Sequence, residues 1–277
     1  MQHAGKRSVE PTRMPNLLAF NAAQYLGLFL IISRISGVMI TAPLLNDQTI
    51  PPTVKIGFTL LLSFVFFPIV TRPVVPTSLS LIQLTLLIGG ELAVGLTIGF
   101  TAQLMFAGIT LAGEVIGFQM GVSMAHVFDP AFNTQTSLIA EINTVLALMI
   151  FVSLNGHHLF IEALARSYAI APAGHIVLGK AALANLTAVS GKMFLVGLQI
   201  GAPLIVSLLA ANVAMGLVAR AVPQINIFVV GFPFTIGLGL ILLAASMPFF
   251  AEAIGAMHHM IEELITAGMN TLGSTAR

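Results

Sequence analysis

The 277-residue chain contains no cysteine. That removes disulfides, thiolate nucleophiles, zinc–thiolate sites and iron–sulfur clusters together, and it leaves the redox compartment unread. Charge is nearly as scarce: 8% of the residues are Asp, Glu, Lys or Arg, against about 25% in an ordinary soluble domain. The 11 basic and 10 acidic side chains are thinly spread, for a formal net charge of +1. No basic face is available to neutralise a row of phosphates, which argues against nucleic-acid binding. Strand-like alternation, solenoid-period repeats and low-complexity stretches are also missing. So is any nucleophile–base pair or phosphate-cradling loop, so the chain reads as non-enzymatic and calls for no cofactor.

What is present is apolar length. Hydrophobic residues make up 57% of the chain and the mean hydropathy is +1.00. Charge-free intervals run over 56–71, 73–90, 92–113, 142–161, 193–219 and 221–251, and an earlier run from Leu17 to Leu45 is interrupted only by Arg34. Since a membrane-crossing helix needs roughly 20 apolar residues, the expectation is an all-α, polytopic, integral-membrane-type protein of about six long, partly bent helices. Turn chemistry marks the breaks: NDQTIPP at 46–52, TRPVVP at 71–76, FDPAFN at 128–133, APAGH at 171–175 and AVPQIN at 221–226. The run from Ser78 to Gly113 is too long for one simple span, and Gly89-Gly90-Glu91 is where a bend is expected. Three regions follow: a polar, basic N-terminal tail over 1–16, a helical domain over 17–255, and an amphipathic C-terminal tail over 256–277 that contains MHHMIEEL.

The apolar run after the basic tail is longer than a signal-peptide core, so the tail is expected to be retained and the first apolar segment to act as its own insertion signal. Lys6, Arg7 and Arg13 place the N-terminus in the cytoplasm. Six spans would return the C-terminus there, with 162–192 also inside and the Lys- and Arg-free stretch from Glu114 to Ser137 outside.

Three groups of residues carry chemistry worth weighing. In AGEVIGFQMG, Gly113, Gly117 and Gly121 recur every fourth residue, which either lets a neighbouring helix approach closely or makes the segment bendable, with Phe118 and Met120 projecting into a passage. Arg34, Glu91, Glu114 and Asp129 are lone charges in or beside apolar segments. A carboxylate so placed must be protonated, paired or wet, and Arg34 is a candidate partner for either Glu91 or Glu114. In NGHHLF, the turn signal Asn155-Gly156 precedes His157 and His158. A zinc site wants three or four ligands and no HExxH spacing accompanies them, so helix break, capping and packing are the expected roles, and no metal site is assigned.

The stretches RISGVMITAP (34–43), ELAVGLTIGF (91–100), AGEVIGFQMGVSMAHVFDP (112–130), FVSLNGHHLFIEALARSY (151–168) and RAVPQINIFVVGFPFTIGLGL (220–240) occur in order along nearly the whole chain. In them the chain resembles the FliR family, the export-gate subunits of flagellar type III secretion. One departure is Glu114, where the family's AGQ-like motif leads us to expect Gln. The resemblance implies helical hairpins that join FliP-like and FliQ-like subunits in a pore-forming gate in the bacterial inner membrane, at the flagellar basal body. It further implies an FlhB-like switch protein and an FlhA-like export protein as partners, membrane lipid around the assembly, and unfolded flagellar proteins in transit. By position it places a pore plug near 113–121.

Two rival readings use the same residues. A proton-coupled carrier of small solutes would rely on Glu91 and Glu114, although the internal pseudo-repeat common among carriers is not evident. A related export-gate subunit of virulence injectisomes is the other, and the NGHH and PQINIF stretches look more like the flagellar branch.

Overall fold

The computed structural model describes residues 22–47, 49–70, 80–122, 137–174, 180–224 and 226–273. They form seven helices: α1 (Ala22–Thr41), α2 (Pro52–Phe66), α3 (Leu81–Met120), α4 (Leu138–Ser153), α5 (Gly156–Ile170), α6 (Lys180–Ala221) and α7 (Ile227–Gly273). No strand occurs among the described residues. The all-α expectation holds, with seven helices in place of six.

Local chemistry explains where the helices start and stop. α2 opens on Pro51-Pro52, where a fixed φ and a missing N–H cost nothing. α3 opens with a capping box in which the Gln83 amide donates to Ser80 Oγ and the Ser80 amide donates to Gln83 Oε1. It closes on Gly121, which takes the left-handed conformation (φ 83°) that glycine tolerates best.

α3 continues as helix through Gly89-Gly90-Glu91, where a bend is expected, and runs for 40 residues, about 60 Å at the α-helical rise. Glu91, which divides two apolar intervals in sequence, lies within this helix, fully buried and paired. Residues 256–273 are the last part of α7, and their apolar face, with Met257, Ile261, Leu264 and Met269, is buried in the core.

α3 is the central element, with α1, α4, α6 and α7 packed along it. Small residues allow this. A Cβ on Gly37 would lie 2.6 Å from the Leu92 carbonyl oxygen, and one on Gly197 would lie 2.5 Å from that of Gly108. Backbones therefore touch where side chains would otherwise hold them apart. Around these crossings the main core gathers Ile31, Ile35, Ile98, Met105, Phe151 and Ile254 from α1, α3, α4 and α7, and Phe106 meets Phe151 edge-on at 5.3 Å.

The exterior is also apolar. α2 buries only Thr59, Ser63 and Phe66, while Leu61, Phe64, Leu198, Val206, Leu217 and Ile241 stand exposed on α2, α6 and α7. Four helices, α1, α3, α6 and α7, contain segments long and apolar enough to cross a bilayer, and α4 with α5 makes a fifth if that pair, bent by 66°, counts as one span.

Candidate functional site

The most developed polar site is a clamp where α1 crosses α3. Because Gly95 lies directly on the Arg34 backbone carbonyl, no side chain separates the helices there. The Arg34 side chain can then run beside α3 to Glu91, one turn before Gly95. Its Nε donates to Glu91 Oε2 at 2.7 Å, one terminal nitrogen donates to Ser167 Oγ at 3.0 Å, and the other donates to the Ala171 carbonyl at 2.9 Å. The second carboxylate oxygen of Glu91 accepts from the Gly174 amide at 2.8 Å. Tyr168 closes the site with its ring 4.1 Å from the guanidinium carbon.

Both charged side chains are completely sealed from solvent. A charge can stay in such a place only when it is paired and its remaining hydrogen-bonding capacity is used. Here the planar fork of Arg34 serves three acceptors on separate elements, a task a Lys ammonium could not perform with the same geometry. Arg34 also satisfies a carbonyl just past the end of α5, where helix carbonyls lack partners and positive charge is favoured. Of the two acids considered for Arg34, the structure selects Glu91. Ser167, Tyr168, Ala171 and Gly174 were not anticipated, since two contribute only backbone atoms; the usable signal was that Arg34 and Glu91 are complementary lone charges in apolar runs.

Glu114 is half-buried on α3, and among the described residues no hydrogen bond or ion pair holds it. Asp129 lies outside the described residues. Gly113 and Gly117 receive the N-terminal turn of α4: a Cβ on Gly113 would lie 2.5 Å from Ala140 Cα, and one on Gly117 would overlap the Ser137 hydroxyl. Phe118 is 68% exposed, whereas Met120 is 1% exposed and packs against Gly239 of α7. The Met120 carbonyl accepts from Thr235 Oγ1 at 3.0 Å, and that of Gln119 accepts from Asn212 Nδ2 at 3.1 Å, so the end of α3 is tied to α6 and α7. The Gly-rich segment therefore presents one free aromatic on an anchored helix end.

The NGHH motif forms the break between α4 and α5. Asn155 has a φ of 60°, the left-handed conformation that Asn adopts more readily than most residues, and Gly156 is buried under the Phe151 ring. The His157 and His158 rings lie with centres 4.3 Å apart, tilted by 58°, and the His258 ring lies 5.6 Å from that of Phe151. No three His, Cys, Asp or Glu residues among those described are grouped to hold a metal ion. A surface network, Glu162–Arg166–Glu262, joins α5 to α7 with contacts of 2.7 and 3.2 Å; exposed pairs of this kind are each worth at most about 1 kcal/mol.

Long apolar helices, glycine-mediated crossings and a sealed ion pair define a multi-pass helical membrane protein. Residues 25–261 match the model of the bacterial export proteins, family 1. The chain is similar to the flagellar biosynthetic protein FliR of Escherichia coli K12, 38% identical over 239 residues that cover 83% of this chain and 91% of that protein. It is 35% identical to FliR of Bacillus subtilis, covering 79% and 85%, and 30% identical to FliR of Aquifex aeolicus, covering 80% and 85%. The chain belongs to the FliR family of flagellar export proteins.

Proposed function

We propose that the chain is a non-enzymatic, pore-forming subunit of the flagellar type III export gate. It joins FliP-like and FliQ-like subunits to conduct unfolded flagellar proteins across the bacterial inner membrane. The observation that carries this reading, beside family membership, is the unpartnered apolar surface of α2, α6 and α7. α2, at 15 residues, reaches about 22 Å and is too short to cross a hydrocarbon core of about 30 Å. Its exposed apolar face is better covered by sister subunits than by spanning lipid. The flagellar names of the relatives favour this branch over the injectisome one.

Within the gate, the end of α3 contributes to the plug. Gly113 and Gly117 seat α4 and Met120 seats α7, so the residue free to meet a passage is Phe118. An exposed aromatic at a constriction closes it by excluding water. The carrier reading gains no support at Glu91, whose two oxygens are both taken up by N–H donors.

The test uses the gate assembled from the full set of subunits. Phe118→Ala is expected to make membranes holding it leak ions, with the complex intact. An equally tight membrane with Phe118→Ala and Phe118→Gly would remove this residue from the plug. Purification of the chain alone, in catalytic exchange of a small solute, would contradict the gate itself.

A further inference from the structure

Between α3 and α4, beside the connection from α1 to α2, lies a cleft of about 440 Å³ whose lining includes Asp47, Gln103, Phe106, Thr110, Thr144 and Leu148. Its floor is a hydroxyl contact across the helices, Thr110 Oγ1 to Thr144 Oγ1 at 2.9 Å. Each hydroxyl also meets a carbonyl of its own helix, Phe106 at 3.2 Å and Ala140 at 2.8 Å. The seam is therefore satisfied and asks for nothing.

The charges around it are a different matter. Glu114 is one turn after Thr110 on α3, and Glu141 is one turn before Thr144 on α4. Gly113 lies against Ala140 and Gly117 against Ser137, so the helices run antiparallel and both carboxylates lie toward the same end of the seam. Asp47 stands at the opposite end, where the Thr49 hydroxyl and amide both donate to its Oδ1, at 2.6 and 2.8 Å. No Lys or Arg among the described residues lines the cleft. Arg34 and Arg166 are committed elsewhere, and Lys55 lines the separate groove between α1 and α2.

This arrangement selects its occupant. Phe106, Val145 and Leu148 supply apolar walls, while carboxylates beside a membrane-buried surface are costly unless matched by positive charge. A phospholipid would bring a phosphate against Asp47 in the lining, with Glu114 and Glu141 one turn beyond the other end. A long cationic side chain on an apolar helix suits both features, with its stem on the walls and its head at the carboxylates.

We propose that this cleft docks an apolar helix of another subunit of the export apparatus, with a Lys or Arg side chain of that helix held between Glu114 and Glu141. The identity of the assembly rests on the gate reading above; the chemistry of the cleft does not.

The absence of cysteine gives a clean test in the assembled, membrane-extracted complex. A photo-activated cross-linker is attached to Val145→Cys at the cleft or, as a comparison, to Leu217→Cys on the exposed face of α6. The expected product from Val145→Cys is a cross-link to an apolar segment of another subunit that carries Lys or Arg. Glu114→Lys with Glu141→Lys should reduce its yield at least ten-fold, the Gln pair should reduce it less, and the Leu217→Cys product should persist in both as a check on folding. Cross-linking of Val145→Cys to lipid alone, or to the Arg72 region of the same chain, would overturn the proposal, as would a charge-reversed pair with unchanged yield. If Leu217→Cys reaches other subunits while Val145→Cys meets lipid, the cleft proposal fails and the gate reading stands. If neither reaches another subunit and the chain purifies alone, both fail.

Discussion

The Arg34 guanidinium and the Glu91 carboxylate, 57 residues apart in sequence, meet at 2.7 Å with neither side chain reaching solvent. Through Ser167, Ala171 and Gly174 the pair fastens the end of α5 and the following turn to the crossing of α1 and α3. Removing one partner leaves a buried, unmatched charge, which costs about 3–5 kcal/mol, whereas replacing both by apolar residues of similar volume is often neutral or better. Arg34→Gln and Glu91→Leu should each lower the abundance and melting temperature of the extracted complex. The double variant Arg34→Met with Glu91→Leu should recover much of the loss. Equal losses in the single and double variants would show that the pair does not act as a unit.

Glycine substitutions should separate by contact. A Cβ on Gly95 would overlap the Arg34 carbonyl, whereas one on Gly216 or Gly237 meets nothing within 4 Å. Backbone cannot move aside as a side-chain tip can, so Gly95→Ala should sharply reduce folded protein. Gly216→Ala should be neutral or stabilising by up to about 1 kcal/mol, the helix-propensity difference. Limited proteolysis of membranes gives the comparison.

At the break between α4 and α5, Asn155→Gly should be tolerated, while Asn155→Val, β-branched and forced to positive φ, should cost about 1–2 kcal/mol. Gly156→Ala drives a methyl group into the Phe151 ring and should destabilise more. Gln at both His157 and His158 should leave export intact if the motif serves as a break; lost export with normal assembly would restore a chemical role to the histidines. Thermal unfolding and a motility assay cover both halves.

The hydrogen bonds from Thr49 hold the Asp47 carboxyl below its usual range. With a folded-state pKa below the unfolded one, the stabilisation it gives is present above the ordinary carboxylate range and is lost as pH falls through the folded value. Thr49→Val should raise the Asp47 midpoint, read from its carboxyl carbon signal by NMR. No upward shift would mean that Thr49 is not the cause.

Much of this was legible because membrane helices announce themselves by length. The NDQTIPP, NGHH, APAGH and AVPQIN breaks all separate observed helices, since Pro, Gly and Asn act locally. Glu91 shows why charge is a poor guide to boundaries here: it divides two apolar intervals in sequence, yet it lies inside α3, its charge cancelled by a residue on another helix. Near the C-terminus the amphipathic pattern is legible but its packing is not, because an apolar stripe beside His258, His259 and Glu262 suits a protein core as well as a surface helix. The clamp's other contacts are set by tertiary approach and by backbone atoms, which have no sequence signature.

The central claim is that this chain is an indispensable part of the flagellar export gate. It is tested most directly by deleting its gene in the native bacterium and measuring flagellar proteins in the culture medium. The account predicts that these proteins remain inside the cell and that a plasmid copy of the intact chain restores their export, while one carrying Arg34→Gln restores it poorly. Normal levels of flagellar proteins in the medium of the deletion strain would contradict it.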